Sequence, residues 1–215
     1  SSHSKVFVGF QMRFHPLYQK VKEIIKAGTL GNIIAANFEW GTFLPHHHRY
    51  EDYKTSYAAN KNLGGGVVLG LIHEIDIILD LFGDVTGLQA LNAKTNTLQV
   101  DVEDTVVAIM RAGHTVLSLY LSYAQIKESR SFKIVGSRGT LFFDIHNQEL
   151  KVYDENNNLI FENLDKTPRN QLFISEIQQV MQFIGNDQIN QNENVLHYEK
   201  CQKLVEEIKN SFKNK

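Results

Sequence analysis

Cysteine and proline are scarce here: the 215 residues include one cysteine, three prolines and one tryptophan. A lone thiol, Cys201, forms no internal disulfide, which excludes a disulfide scaffold and fits a reducing, cytoplasmic setting. Few prolines leave no proline-rich linker to divide the chain. No apolar run approaches the roughly 18 residues needed to span a bilayer, so no membrane partner is expected. The opening Ser1-Ser2-His3-Ser4-Lys5 lacks the build of a secretory signal. Neither charge sign dominates: 22 Lys and Arg stand against 24 Asp and Glu, a net charge of −2. No global basic field invites nucleic acid. Nucleotide and hydrolase signatures are missing too. Gly136-Ser137-Arg138-Gly139 comes nearest to a phosphate-cradling loop, but a strand pattern follows it, so it reads as a hairpin turn.

What is present suits a folded core, with 42% hydrophobic and 10% aromatic residues. Four segments carry helical spacing. His15-Pro16 opens the first, with Leu17, Val21, Ile24 and Ile25 on one face and Gly28 beyond its end. The second carries Ile72, Ile75, Leu79 and Phe82 and stops at Gly83. The third groups Phe173, Ile177, Val180, Met181 and Ile184; the fourth groups Cys201, Leu204, Val205, Ile208 and Phe212. A polar loop, Gly185 to Asn194, is expected between these two. Strand signals fill the middle: Thr105 to Met110, Val116 to Tyr123, Phe132 to Val135, Thr140 to Ile145, Leu150 to Tyr153 and Leu159 to Phe161. In the second of these, Leu117, Leu119, Leu121 and Tyr123 face one way and Ser118, Tyr120 and Ser122 the other. Short turns between strands predict an α+β fold: a large, mostly antiparallel open β-sheet with helices packed on one face. Val6 to Phe10 reads as a further strand.

Three segments carry candidate chemistry. The run Gly64-Gly65-Gly66 leads into His73-Glu74-Ile75-Asp76. Histidine and aspartate spaced i, i+3 share a helical face, where a carboxylate can fix an imidazole's tautomer and raise its basicity. The alternative is a surface histidine behind a structural turn. Gln11 and Arg13 stand at a strand-to-helix junction, where a guanidinium suits an anionic or polyol ligand or is simply a surface group. Phe38 to Tyr57 mixes Trp40, Lys54 and Tyr57 with hydroxyls and amines, which suits a sugar as well as a solvated loop. His46-His47-His48 is poorly spaced to chelate one ion, so no metal site is expected.

Taken in order, these residues resemble the C-terminal part of the Gfo/Idh/MocA oxidoreductases, the family of glucose-fructose oxidoreductase and inositol dehydrogenase. The matching features are Gly9-Phe10-Gln11-Met12-Arg13-Phe14-His15-Pro16, Gly28-Thr29-Leu30-Gly31-Asn32-Ile33, Asp52-Tyr53-Lys54, the glycine run ending in His73-Glu74-Ile75-Asp76, Leu81-Phe82-Gly83, Glu103-Asp104 and Val135-Gly136-Ser137-Arg138-Gly139-Thr140-Leu141. The resemblance implies a dinucleotide-binding Rossmann half outside this sequence. Residues 1–10 would then be a linking strand, and 11–215 a substrate-binding and oligomerisation domain.

It further implies NAD or NADP in the intact enzyme, with none bound tightly by this chain, and hydride transfer to or from a sugar or sugar derivative. His73 takes the family's catalytic position. Arg13, Trp40, Lys54, Tyr57 and Asp76 are expected at the substrate, and Gln11 and Arg13 near the nicotinamide. The family's usual aspartate four positions before the histidine is Leu69 here. That departure keeps a second expectation open, a non-catalytic sugar-binding or dimerisation scaffold. The chain alone is expected to be inactive, and a homo-oligomer to form through the open sheet face.

Overall fold

The computed structural model describes residues 6–47, 50–185 and 191–212. In chain order the main elements are α1 (Pro16–Lys26), β1 (Ile33–Phe43), the short α2 (Val67–Gly70), α3 (His73–Phe82), β2 (Thr86–Ala93), β3 (Thr105–Ala112), β4 (Thr115–Ser122), β5 (Ala124–Gly136), β6 (Gly139–Asp144), β7 (Glu149–Asp154), β8 (Leu159–Leu164), α4 (Arg169–Gly185) and α5 (Gln191–Ser211). The strands form one eight-stranded open sheet in the order β2-β3-β4-β1-β5-β6-β7-β8. Among the described strands only the β1–β4 pair is parallel. The α+β architecture read from the pattern is therefore the observed one.

Alternation decides which side of the sheet is covered. Leu117, Leu119 and Leu121 of β4, Val106, Ala108 and Met110 of β3, and Phe132 and Ile134 of β5 are buried on one face. They join Leu17, Tyr18 and Val21 of α1, Ile75 and Ile78 of α3, and Leu204, Val205 and Ile208 of α5 in one core. The opposite face exposes Val107, Ile109, Val116 and Phe142. Gly113 and Asn157 both adopt positive φ at strand reversals.

Three expectations change. Val6 to Phe10 is irregular backbone and joins no strand of the sheet. The stripe on α4 faces outward: Phe173, Ile177, Met181 and Ile184 are exposed, while Leu172 and Phe183 from the same helix are buried. The central strand β1 and the edge strand β2 occupy segments that gave no strand signal. The predicted loop over residues 185–194 is shorter, since Gly185 closes α4 and α5 begins at Gln191; residues 186–190 and His48 of the histidine run lie outside the described residues.

The glycine run has a steric cause. A Cβ at Gly65 would collide with the carbonyl oxygens of Tyr57, Ala58 and Asn60, and one at Gly66 (φ +114°) with the Glu103 carboxylate. Gly65→Ala is expected to destabilise the fold by about 2 kcal/mol through overpacking. That corresponds to a drop of about 4–8 °C in melting midpoint by calorimetry. The same oxygens crowd the turn with acceptors instead of donors, so it offers no cradle to a diphosphate.

Candidate functional site

A cavity of about 660 Å³ opens where the start of α3, strands β1 and β5 and the turn after β6 converge. Gln11, from the 3-10 turn Gln11–Phe14 before α1, reaches it, as do His15, Trp40, His46, His47, His73, Arg130 and His146. The register of β1 against β5 sets Trp40 directly opposite Arg130. That pairing lays the guanidinium over the indole, 3.9 Å from its centroid. Glu74 of α3 then closes on Arg130 Nε at 2.6 Å. Both partners of this ion pair are largely withdrawn from water, at 12% and 2% side-chain exposure. Burial pushes the Glu74 carboxyl up, and the neighbouring Arg130 pulls it back. At the rim, Trp40 Nε1 donates to Glu128 at 3.4 Å.

His73 is the first residue of α3. Its Nε2 lies 3.5 Å from Gln11 Nε2, and its ring meets Phe10 edge-on with centroids 6.1 Å apart. Nδ1 is buried and has no hydrogen-bond partner among the described residues. Burial lowers the His73 pKa to about 4, helped by Arg130 and opposed by Asp76. The imidazole is therefore neutral near pH 7, suited to orienting a hydroxyl by hydrogen bonding and a weak base on its own.

The sign of the linkage follows. An unfolded His73 takes a proton below its ordinary value of 6.5, whereas the folded ring resists until about pH 4. Stability is thus lost as pH falls between those values, by up to about 3 kcal/mol from this group. Urea unfolding at pH 7 and pH 5 is expected to show the loss. His73→Gln is expected to flatten it.

The structure divides the predicted site residues. Gln11, Trp40 and His73 share the cavity. Asp76 does not pair with His73: it is fully buried, accepting from Arg13 Nη2 at 2.6 Å and from His197 Nε2 at 2.8 Å. Arg13 consequently turns away, toward a separate hollow with Phe7, Val8 and His197. The helix is buried on every side, so position i+3 lands in the core rather than on a free face. Tyr57 lines a smaller groove, of about 270 Å³, that shares His47 with the main cavity. Lys54 lies on the exposed 3-10 turn Tyr53–Thr55 and lines neither. Sequence reasoning missed Arg130 and Glu74. The alternation within β5, with Phe132 and Ile134 inward, marks Arg130 as inward-facing too.

Similarity to known proteins can be set beside this geometry. A family model described as the GFO/IDH/MocA C-terminal domain matches residues 18–142. A curated relative, oxidoreductase P35 of Formosa agariphila, is 24% identical over 153 residues, covering 70% of this chain and 47% of its own. The chain thus spans about half the length of that relative. Among solved structures, levoglucosan dehydrogenase in complex with NADH and levoglucosan superposes with a TM-score of 0.77 at 17% identity, covering 96% of this chain and 65% of that one. UDP-N-acetylglucosamine 3-dehydrogenase from Acidithiobacillus ferrooxidans gives 0.73 at 17% identity, covering 98% and 62%. At such identities these two matches bear on the fold.

Proposed function

The chain belongs to the Gfo/Idh/MocA C-terminal domain family, and on that premise we propose that it is the substrate-binding half of an NAD(P)-dependent oxidoreductase acting on a sugar or sugar derivative. The observation that carries this reading is the cavity in which a buried imidazole whose Nδ1 has no partner among the described residues, an indole and a carboxamide converge. His73 orients the reacting hydroxyl, Gln11 holds the imidazole's other edge, and Trp40 supplies an apolar wall for the ring. When bound, the nicotinamide cofactor supplies the hydride acceptor or donor. Its diphosphate does not fit the glycine run here, where carbonyls and Glu103 crowd the turn, so it belongs on another part of the intact protein. Arg13, bound to Asp76, serves the fold rather than cofactor or substrate.

Two preparations test this. The 215-residue chain alone is expected to leave NAD+ and NADP+ unreduced in the presence of sugars. A protein extended upstream is expected to carry a dinucleotide-binding fingerprint and to reduce one of them. Robust hydride transfer by this chain alone would contradict the assignment. An upstream sequence without that fingerprint would favour a non-catalytic sugar-binding scaffold. Leu69 supports that second reading, because it leaves His73 without the family's usual carboxylate and packs against the core instead.

The open face of the sheet is proposed to hold a second copy of the chain, since Val107, Ile109 and Val116 form an exposed apolar patch across β3 and β4. Light scattering is expected to show an oligomer that Val107→Lys with Ile109→Lys converts to monomer. A wild-type monomer at high concentration would remove the proposal.

A further inference from the structure

His15 does two jobs that pull its two ring nitrogens apart. It precedes α1, and its Nδ1 accepts the Leu17 amide at 3.2 Å, the bond that caps the helix. An accepting Nδ1 carries no proton, so the proton of the neutral ring sits on Nε2. The ring is 3% exposed, wedged edge-on against Phe143 with centroids 5.5 Å apart, and it lines the main cavity. Nε2 makes no hydrogen bond among the described residues. Burial lowers the pKa of this ring as well, so it stays neutral near pH 7. The cap therefore fixes a donor at the cavity wall, with its tautomer and orientation set by the helix it terminates.

The charges around it decide what that donor meets. Among the described lining residues the one guanidinium is Arg130, and Glu74 neutralises it at 2.6 Å. Glu128 adds a carboxylate at the rim beside Trp40. Arg130 Nη2 is buried and lacks an acceptor, yet a hydroxyl oxygen satisfies it as well as an oxyanion does. An anionic ligand would enter a cavity whose balance is already neutral to negative, and would be desolvated without a free cation to repay the cost. We infer that the cavity takes an uncharged polyhydroxylated ring in preference to its carboxylated or phosphorylated counterpart, and that His15 holds it by donating from Nε2 to a ring oxygen. This rests on the sugar-binding reading above and narrows its substrate class.

The test titrates the 15N-labelled chain with D-glucose, levoglucosan and myo-inositol, and with D-glucuronate and glucose 6-phosphate. At least one uncharged ring is expected to bind saturably and at least roughly tenfold more tightly than the charged rings. Imidazole 15N shifts are expected to report His15 as the Nε2–H tautomer at pH 7. His15→Asn keeps an oxygen that can cap α1, while its remaining amide N–H is too short to reach the place that Nε2 occupies. It is expected to keep a single cooperative unfolding transition, at a somewhat lower midpoint from lost packing, while weakening the best uncharged ligand roughly tenfold. Tighter binding of glucuronate than of glucose would overturn the inference and leave the sugar-binding reading standing. So would an Nδ1–H tautomer, or a His15→Asn variant with unchanged affinity. Failure of every ring to bind would overturn both.

Discussion

Arg13→Ala is expected to lower the folding free energy by about 3 kcal/mol, the low end of the cost of stranding one partner of a buried ion pair. The cause is Asp76, which is fully buried and spends its oxygens on Arg13 and His197. Without the guanidinium, the carboxylate keeps one imidazole partner and loses two short charge-assisted donors. Two features hold the cost at the low end: the Arg13 side chain is 26% exposed, and His197 remains 2.8 Å away. In a chain of this size the loss corresponds to about 6–12 °C in melting midpoint. Adding Asp76→Asn should recover much of it, because the stranded charge then disappears. Calorimetry on the two variants measures this. A loss below about 1 kcal/mol together with abolished sugar binding would return Arg13 to the substrate-binding role that the sequence suggested.

Arg130→Met is expected to cost more, about 4 kcal/mol, and to leave a pH signature. Glu74 would then sit 2% exposed with no cation beside it. Its carboxyl is already pushed above the ordinary carboxylate value by burial, and only Arg130 opposes that push strongly. In the variant, the folded state holds a proton to higher pH than the unfolded chain does. The deficit should therefore be smallest near pH 5 and grow toward pH 7, the opposite slope to that set by His73. Glu74→Gln in the same background should remove both the slope and most of the deficit. Urea unfolding of wild type, both single variants and the double variant closes the cycle. Additive costs with no pH trend would show that the pair is not coupled.

The legible part of this molecule is the part written in periodicity. Leu117, Leu119 and Leu121 alternate with Ser118 and Tyr120, and the sheet follows that alternation. The stripes on α1 and α5 sit in the core as their spacing predicts. Strand β1 stayed hidden because Ile33-Ile34-Ala35-Ala36 breaks the alternation, although it becomes the parallel partner of β4 at the centre of the sheet. Spacing also misled at Asp76. A pair at i, i+3 predicts a shared face, but not whether that face is free, and α3 is enclosed on all sides. The α4 stripe is a helical pattern whose residues stay exposed, because the helix buries Leu172 and Phe183 instead. The Arg130–Glu74 pair spans 56 positions, and long-range partners of that kind leave no local signal.

Trp40 is the sole tryptophan of the chain and stands in the wall of the cavity. Its intrinsic fluorescence therefore reports on that space directly. Titration with an uncharged sugar ring that binds the chain is predicted to change the emission saturably, and His73→Ala is predicted to weaken the response at least tenfold with folding intact. Saturable binding of the sugar that leaves the indole emission untouched would place the site elsewhere and contradict the account.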